Sequence, residues 1–129
     1  MQGFRNLNVW QKAHDLTLAV YKVTARFPKE ELFALTSQVK RAASSIGANI
    51  AEGCGRGSDA DFTRFLYIAM GSASELENHL ELGRDLGFIS QADYDDLQRR
   101  LIEVKRMLGS LIQRTRGSST AGRKLTADS

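Results

Sequence analysis

Reactive and metal-binding side chains are what this chain has least of. A single cysteine, Cys54, rules out an internal disulfide and suits a reducing compartment. It has no histidine near it in the sequence to act as a base, so it is not expected to be a nucleophile. The two histidines, His14 and His79, do not fit a di-iron bundle, which needs Glu-x-x-His on each of two helices. Three residues before His14 stands Gln11, three before His79 stands Leu76, and three after Glu75 stands Asn78. No metal, cofactor or catalytic residue is therefore expected, and no enzyme. No apolar run approaches the roughly 18 residues of a membrane span. The N-terminus lacks the basic-then-apolar pattern of a secretory signal, so the expected location is cytoplasmic and away from membranes. No stretch alternates with period two, which argues against a sheet. Proline occurs once, as Pro28, leaving long stretches free to be helical.

What is present is helical periodicity. The 129 residues, 42% hydrophobic and 26% charged, make one domain with an ordinary globular composition. They are organised around Arg41–Ser58, where Ala42, Ala43, Ile46 and Ile50 form a smooth helical face. Gly53 is expected to stop that helix as a left-handed cap, and Ser58 to cap the next one with Asp61 in its first turn. The Gly53–Ser58 run lacks the spacing of a P-loop and has no preceding strand, so it reads as a tight helix–helix turn. Before it, Asn8 and Gln11 offer a capping box for a first helix carrying Val9, Ala13, Leu16, Val20, Val23 and Phe27. The second helix starts between Pro28 and Thr36, with Leu32, Leu35, Val39, Ala42 and Ile46 as its seam. Within it, Gly47 permits a bend or a close crossing. A third, from Asp59 to Leu86, would be about 40 Å long. Gly87 ends it, and Ser90 caps a fourth carrying Tyr94, Leu97, Leu101, Val104, Leu108 and Leu111. The expectation is all-α: an up-down-up-down four-helix bundle over residues 9–116, after a lead-in of residues 1–8. Residues 117–129 are expected to be a disordered basic tail.

Charge is unevenly spread. Residues 1–57 hold eight Lys/Arg against four Asp/Glu, residues 58–88 two against six, and residues 89–129 eight against five, giving +4, −4 and +3. At 100° per residue, Arg99 and Arg106 point away from the fourth helix's seam, with Arg100 and Arg114 beside them and Arg116 beyond. With Lys40, Arg41 and Arg56 they are the candidate contacts to nucleic-acid phosphates. Asp95, Asp96 and Glu103 on the same helix support the alternative of an ordinary mixed, solvated face. On the third helix Glu77, Glu81 and Asp85 stack like charges at i, i+4 and i+8. Cations of another protomer would relieve them through a heterologous contact, which can close into a ring. Arg41, Asn49, Glu52 and Arg64, with Glu75, Glu77 and Glu81, are the candidate polar network between helices or subunits. For Glu52 and Arg64, simple exposure near a loop is the alternative.

Several motifs resemble a known family. Phe4-Arg5-Asn6-Leu7-Asn8-Val9-Trp10-Gln11-Lys12-Ala13, Leu35-Thr36-Ser37-Gln38, Arg41-Ala42-Ala43-Ser44-Ser45-Ile46, Asn49-Ile50-Ala51-Glu52-Gly53 and Gly55-Arg56-Gly57-Ser58 are similar to those of bacterial four-helix-bundle proteins. These are named for the intervening sequences of large-subunit (23S) ribosomal RNA genes in which some are encoded. Phe62, Arg64-Phe65-Leu66, Ala69, Gly71-Ser72 and Glu75-Leu76-Glu77 extend the likeness, which covers about residues 4–112. The chain departs from it at Gly47, where the family often has proline, and in the tail. The resemblance implies a homopentameric ring and no established enzyme activity. A more distant likeness to the accessory variability proteins of diversity-generating retroelements implies nucleic-acid binding beside a reverse transcriptase, which stands last among the implied partners. The combined expectation is a non-enzymatic oligomer that associates with RNA or DNA. The alternative is a protein-interaction scaffold that binds no nucleic acid.

Overall fold

The computed structural model describes the backbone of residues 3–124 and the side chains of residues 3–117. Within them the chain is all-α. A 3-10 turn at Phe4–Asn6 leads into α1 (Asn8–Thr24), and a second at Lys29–Glu31 leads into α2 (Leu35–Cys54), followed by α3 (Asp59–Asp85) and α4 (Gln91–Lys124). Cross-helix contacts show that consecutive helices run antiparallel. Thr17 Oγ1 donates to the Ala43 carbonyl, Ser45 and Ser72 share a hydroxyl contact, and Thr63 bonds Thr115. The ion pair Lys12–Glu103 closes α4 back onto α1. The result is a square up-down-up-down bundle in which each helix touches two neighbours.

One apolar core runs through all four helices, with Leu16, Val20, Ile46, Ile50, Leu66, Leu76, Leu80, Leu101, Val104 and Leu108 fully enclosed. Their spacing is the period that the sequence displays, and their burial is the main stabilising term. On α4 the buried stripe drifts. Ile112 and Thr115 turn inward while Leu111 is half-buried, because seven residues of a straight helix fall about 20° short of two full turns, so the buried position moves to a later residue.

The helix ends differ from expectation in four places. Asn8 is the first helical residue rather than a cap, and Leu7 precedes the helix without a side-chain cap bond. Gln11 instead donates from Nε2 to the Arg5 carbonyl at 2.8 Å, tying down the lead-in turn. Leu32 is half exposed, because the extended backbone at Pro28 and the turn after it put Leu32 outside the phase of α2. Gly53 does not cap α2. It lies inside the helix, where a Cβ would come within 2.7 Å of Phe65 Cβ, so it is the residue that lets α2 and α3 touch. The left-handed conformation falls on Gly57 instead, with φ of 89°. Lastly, α4 does not end near residue 116 but continues through Lys124. No proline interrupts it, and extending an existing helix costs far less than starting one. The part of the expected tail from 125 to 129 lies outside the described residues.

Other ends follow the sequence. Ser58 Oγ accepts from Asp61 N at 3.2 Å, and Ser90 Oγ from Asp93 N at 3.1 Å. Gly87, with φ of 83°, ends α3 in a Schellman arrangement: Phe88 N donates to Gly83 O and Gly87 N to Arg84 O. Gly47 faces the Trp10 indole, where an added Cβ would lie 3.4 Å from Nε1, an ordinary van der Waals contact, so the close crossing that needs glycine is at Gly53 and not here. Trp10 in turn stacks on His14, with ring centroids 4.8 Å apart.

Candidate nucleic-acid interface

The eight candidate cations divide by what holds them. Arg99 and Arg100 both reach Asp96, one turn back on α4, at 2.5 and 3.0 Å. Hydrogen bonding from Arg100, with Arg99 in support, keeps the Asp96 carboxyl below its ordinary range, so it stays ionised beside them. Arg56 is paired with Glu52 at 3.2 Å across one turn. These three guanidiniums therefore face carboxylates of their own chain. Lys40 instead lies over the Tyr21 ring, 4.8 Å from its centre. Arg114 donates to Ser110 Oγ at 3.1 Å, and Arg116 to Tyr67 Oη at 2.9 Å. Arg41 and Arg106 are exposed and make no ion pair with a described residue. The cationic stripe on α4 is thus neutralised near Asp96, whereas Arg106 and Arg114, further along the helix, make no ion pair with a described residue.

The acidic stripe of α3 is also partly neutralised within the chain. Glu77 accepts from Lys105 Nζ and from Gln98 Nε2, each at 2.8 Å. The Lys105 bond, then the Gln98 bond, pull the Glu77 carboxyl below its ordinary range against the opposing effect of burial. Asp85 pairs with Arg84, whose guanidinium is correspondingly raised. Glu81 is exposed and makes no ion pair with a described residue. Relief by another protomer is therefore not required at Glu77.

The expected polar network separates into pieces. Asn49 Nδ2 donates to the Ser45 carbonyl and lies 3.0 Å from Ser45 Oγ, which touches Ser72 Oγ at 2.8 Å; this is a hydroxyl–amide bridge between α2 and α3. Glu52, Arg56, Arg64 and Asp61 form a second cluster at the Gly-rich turn. There the two guanidiniums lie over the Phe65 ring at 5.0 and 4.5 Å, and Arg64 reaches Asp61 at 3.7 Å. Glu75 belongs to a third piece, 3.4 Å from His79 Nε2. Arg41 joins none of them. The partners that sequence spacing did not single out are aromatic or uncharged, Tyr21, Tyr67 and Gln98, or lie on the facing helix, as Lys105 does. Their roles depend on helix rotation that a single helix's pattern does not contain.

No group of three or more His, Cys, Asp or Glu among the described residues could hold a metal, and no described helix is long and apolar enough to cross a membrane. A family model described as 23S rRNA-intervening sequence protein matches residues 5–110. Among solved structures, a protein of unknown function from the S23 ribosomal protein family of Bacteroides thetaiotaomicron VPI-5482 is 30% identical, with a TM-score of 0.76. The match covers 81% of this chain and 95% of that one. No curated protein matches the sequence.

Proposed function

Given that the chain belongs to the 23S rRNA-intervening sequence protein family, we propose that it acts by association rather than catalysis, as a cytoplasmic oligomer that holds nucleic-acid phosphates on its basic surface. The observation that carries this reading is the division among its cations. Arg41, Arg106 and Arg114 are exposed and make no ion pair with a described carboxylate, whereas Arg56, Arg99 and Arg100 do. Cations without a local counter-charge can replace the counterions condensed on a phosphate backbone. One chain of net charge +3 would bind weakly, but several copies around a ring act together and raise avidity without new contacts. A homopentamer is the assembly that the family resemblance implies. The family's name makes structured RNA the first ligand to try.

The test is binding of nuclease-treated protein to labelled structured RNA and duplex DNA across a salt series, with native mass measured alongside. Affinity should fall steeply with salt. Arg106→Ala with Arg114→Ala should flatten the salt slope by about one for each phosphate that the variant no longer neutralises. Absence of binding at low salt would overturn the reading. The protein-interaction scaffold is then the second reading, favoured by one observation: Phe33 stands 93% exposed on the bundle's surface.

A further inference from the structure

The turn between α1 and α2 carries the least buried large apolar side chain of the described residues. Phe33 is 93% exposed and its neighbour Leu32 50%, just after Glu30 and Glu31. A phenylalanine exposed in this way gains nothing within its own chain, since its ring is left in water. A complementary feature lies on another side of the same chain. Between α1 and α4 runs an open groove of about 600 Å3, with Leu18, Val23 and Leu97 among its apolar lining. Leu18 is 55% exposed there. The groove also carries Lys22, Arg26 and Arg100 against Asp93 and Asp96, a balance of +1. Arg26 is bonded to Asp93 and Arg100 to Asp96, which leaves Lys22 without an ion pair among the described residues. The turn residues Lys29, Glu30 and Glu31 sum to −1.

We infer that Leu32 and Phe33 of one copy dock in the α1–α4 groove of a second copy, with Glu30 beside Lys22 of that copy. This rests on the oligomeric reading above and names the surfaces that would make it. The match is apolar to apolar and acidic to basic, and the two surfaces differ, so the contact is heterologous: each chain offers one knob and one groove. Their positions also favour closure. The groove is built from the last turns of α1 and the first turns of α4, and the knob follows α1 directly, so both lie at the same end of the bundle. Passing from knob to groove therefore needs rotation about an axis along the bundle and little translation, which gives a ring rather than a filament.

Native mass of the wild type, Phe33→Asp and Leu18→Glu, with helical content and melting temperature of each, tests this. Because both side chains are exposed, the variants should keep wild-type helicity and melting of the single chain while the native mass drops to one chain. In parallel, p-benzoylphenylalanine at position 33 should cross-link between chains to peptides containing Leu18 or Leu97. An oligomer that survives Phe33→Asp, or cross-links directed elsewhere, would overturn the docking while leaving the oligomer standing. A wild type that is monomeric at every concentration would overturn both.

Discussion

Lys105 on α4 donates to Glu77 on α3 at 2.8 Å, and Gln98 bonds the other oxygen of the same carboxylate. An acidic stripe that looks like half of a subunit contact is, at this position, an internal clasp between two helices. Its carboxylate is about two-thirds shielded from solvent and its hydrogen bonds are short, which places it above the value of a typical surface pair.

Lys105→Met should therefore lower stability by about 1 kcal/mol in urea unfolding near neutral pH. The pH dependence has a definite sign. The folded carboxyl of Glu77 is depressed below the 4.5 of an unperturbed glutamate, so its contribution is full above about pH 4.5 and is lost as pH falls through the depressed folded value. The gap between wild type and Lys105→Met should accordingly close in acid. A gap that stays constant down to pH 3 would show that the difference comes from packing of the lysine stem and not from the charge.

The glycines of the bundle should respond in opposite directions. At Gly53 an added Cβ would meet Phe65 Cβ at 2.7 Å and Phe62 Cδ1 at 3.0 Å, so Gly53→Ala must push α3 away from α2. A loss of about 2 kcal/mol is expected. At Gly71, inside α3 and exposed, nothing lies within 4 Å, and Gly71→Ala should add about 0.5–1 kcal/mol through reduced backbone freedom in the unfolded chain. Thermal unfolding of the two variants beside the wild type separates these effects. A neutral Gly53→Ala would mean that the helix crossing is looser than the distances indicate.

The contrast between these two glycines also marks how far sequence alone carries. The four helices, their order and most of the core are readable, because Leu16, Val39, Leu76 and Leu101 recur at the period that burial imposes. So are the Ser58 and Ser90 caps, whose chemistry is local. The role of Gly53 is not, since a glycine near a helix end is equally suited to a cap and to a close crossing, and the choice depends on where Phe65 arrives from the next helix. The end of α4 escapes for a related reason: the residues after Gly117 have little to bury, but nothing in them breaks a helix already formed. Among the candidate cations, Asp96 is visible as a near neighbour of Arg99 and Arg100, but spacing does not say that it holds both. Nor does spacing reveal Tyr21 and Tyr67, which reach Lys40 and Arg116 from other helices.

Asp96 offers the sharpest check on the α4 face, because one carboxylate restrains two arginines there. Asp96→Asn removes that counter-charge and raises the net charge of each chain by one, while Arg99 and Arg100 stay on the same face. If phosphates lie along this part of α4, affinity for RNA or DNA at low salt should rise several-fold and the salt slope should steepen by about one, through Arg99, since Arg100 lines the α1–α4 groove. Stability should change little, since pairs this exposed contribute a few tenths of a kcal/mol. The pH profile supplies an independent readout. The carboxyl is held below the 3.8 of an unperturbed aspartate, so in the wild type it remains charged across the working range and the enhancement should be the same from pH 6 to 8. Unchanged affinity in Asp96→Asn, together with weaker binding by Arg114→Ala, would confine the binding surface to the C-terminal half of α4. Unchanged affinity in Asp96→Asn and in the Arg106→Ala/Arg114→Ala double variant would take this face of α4 out of the interface.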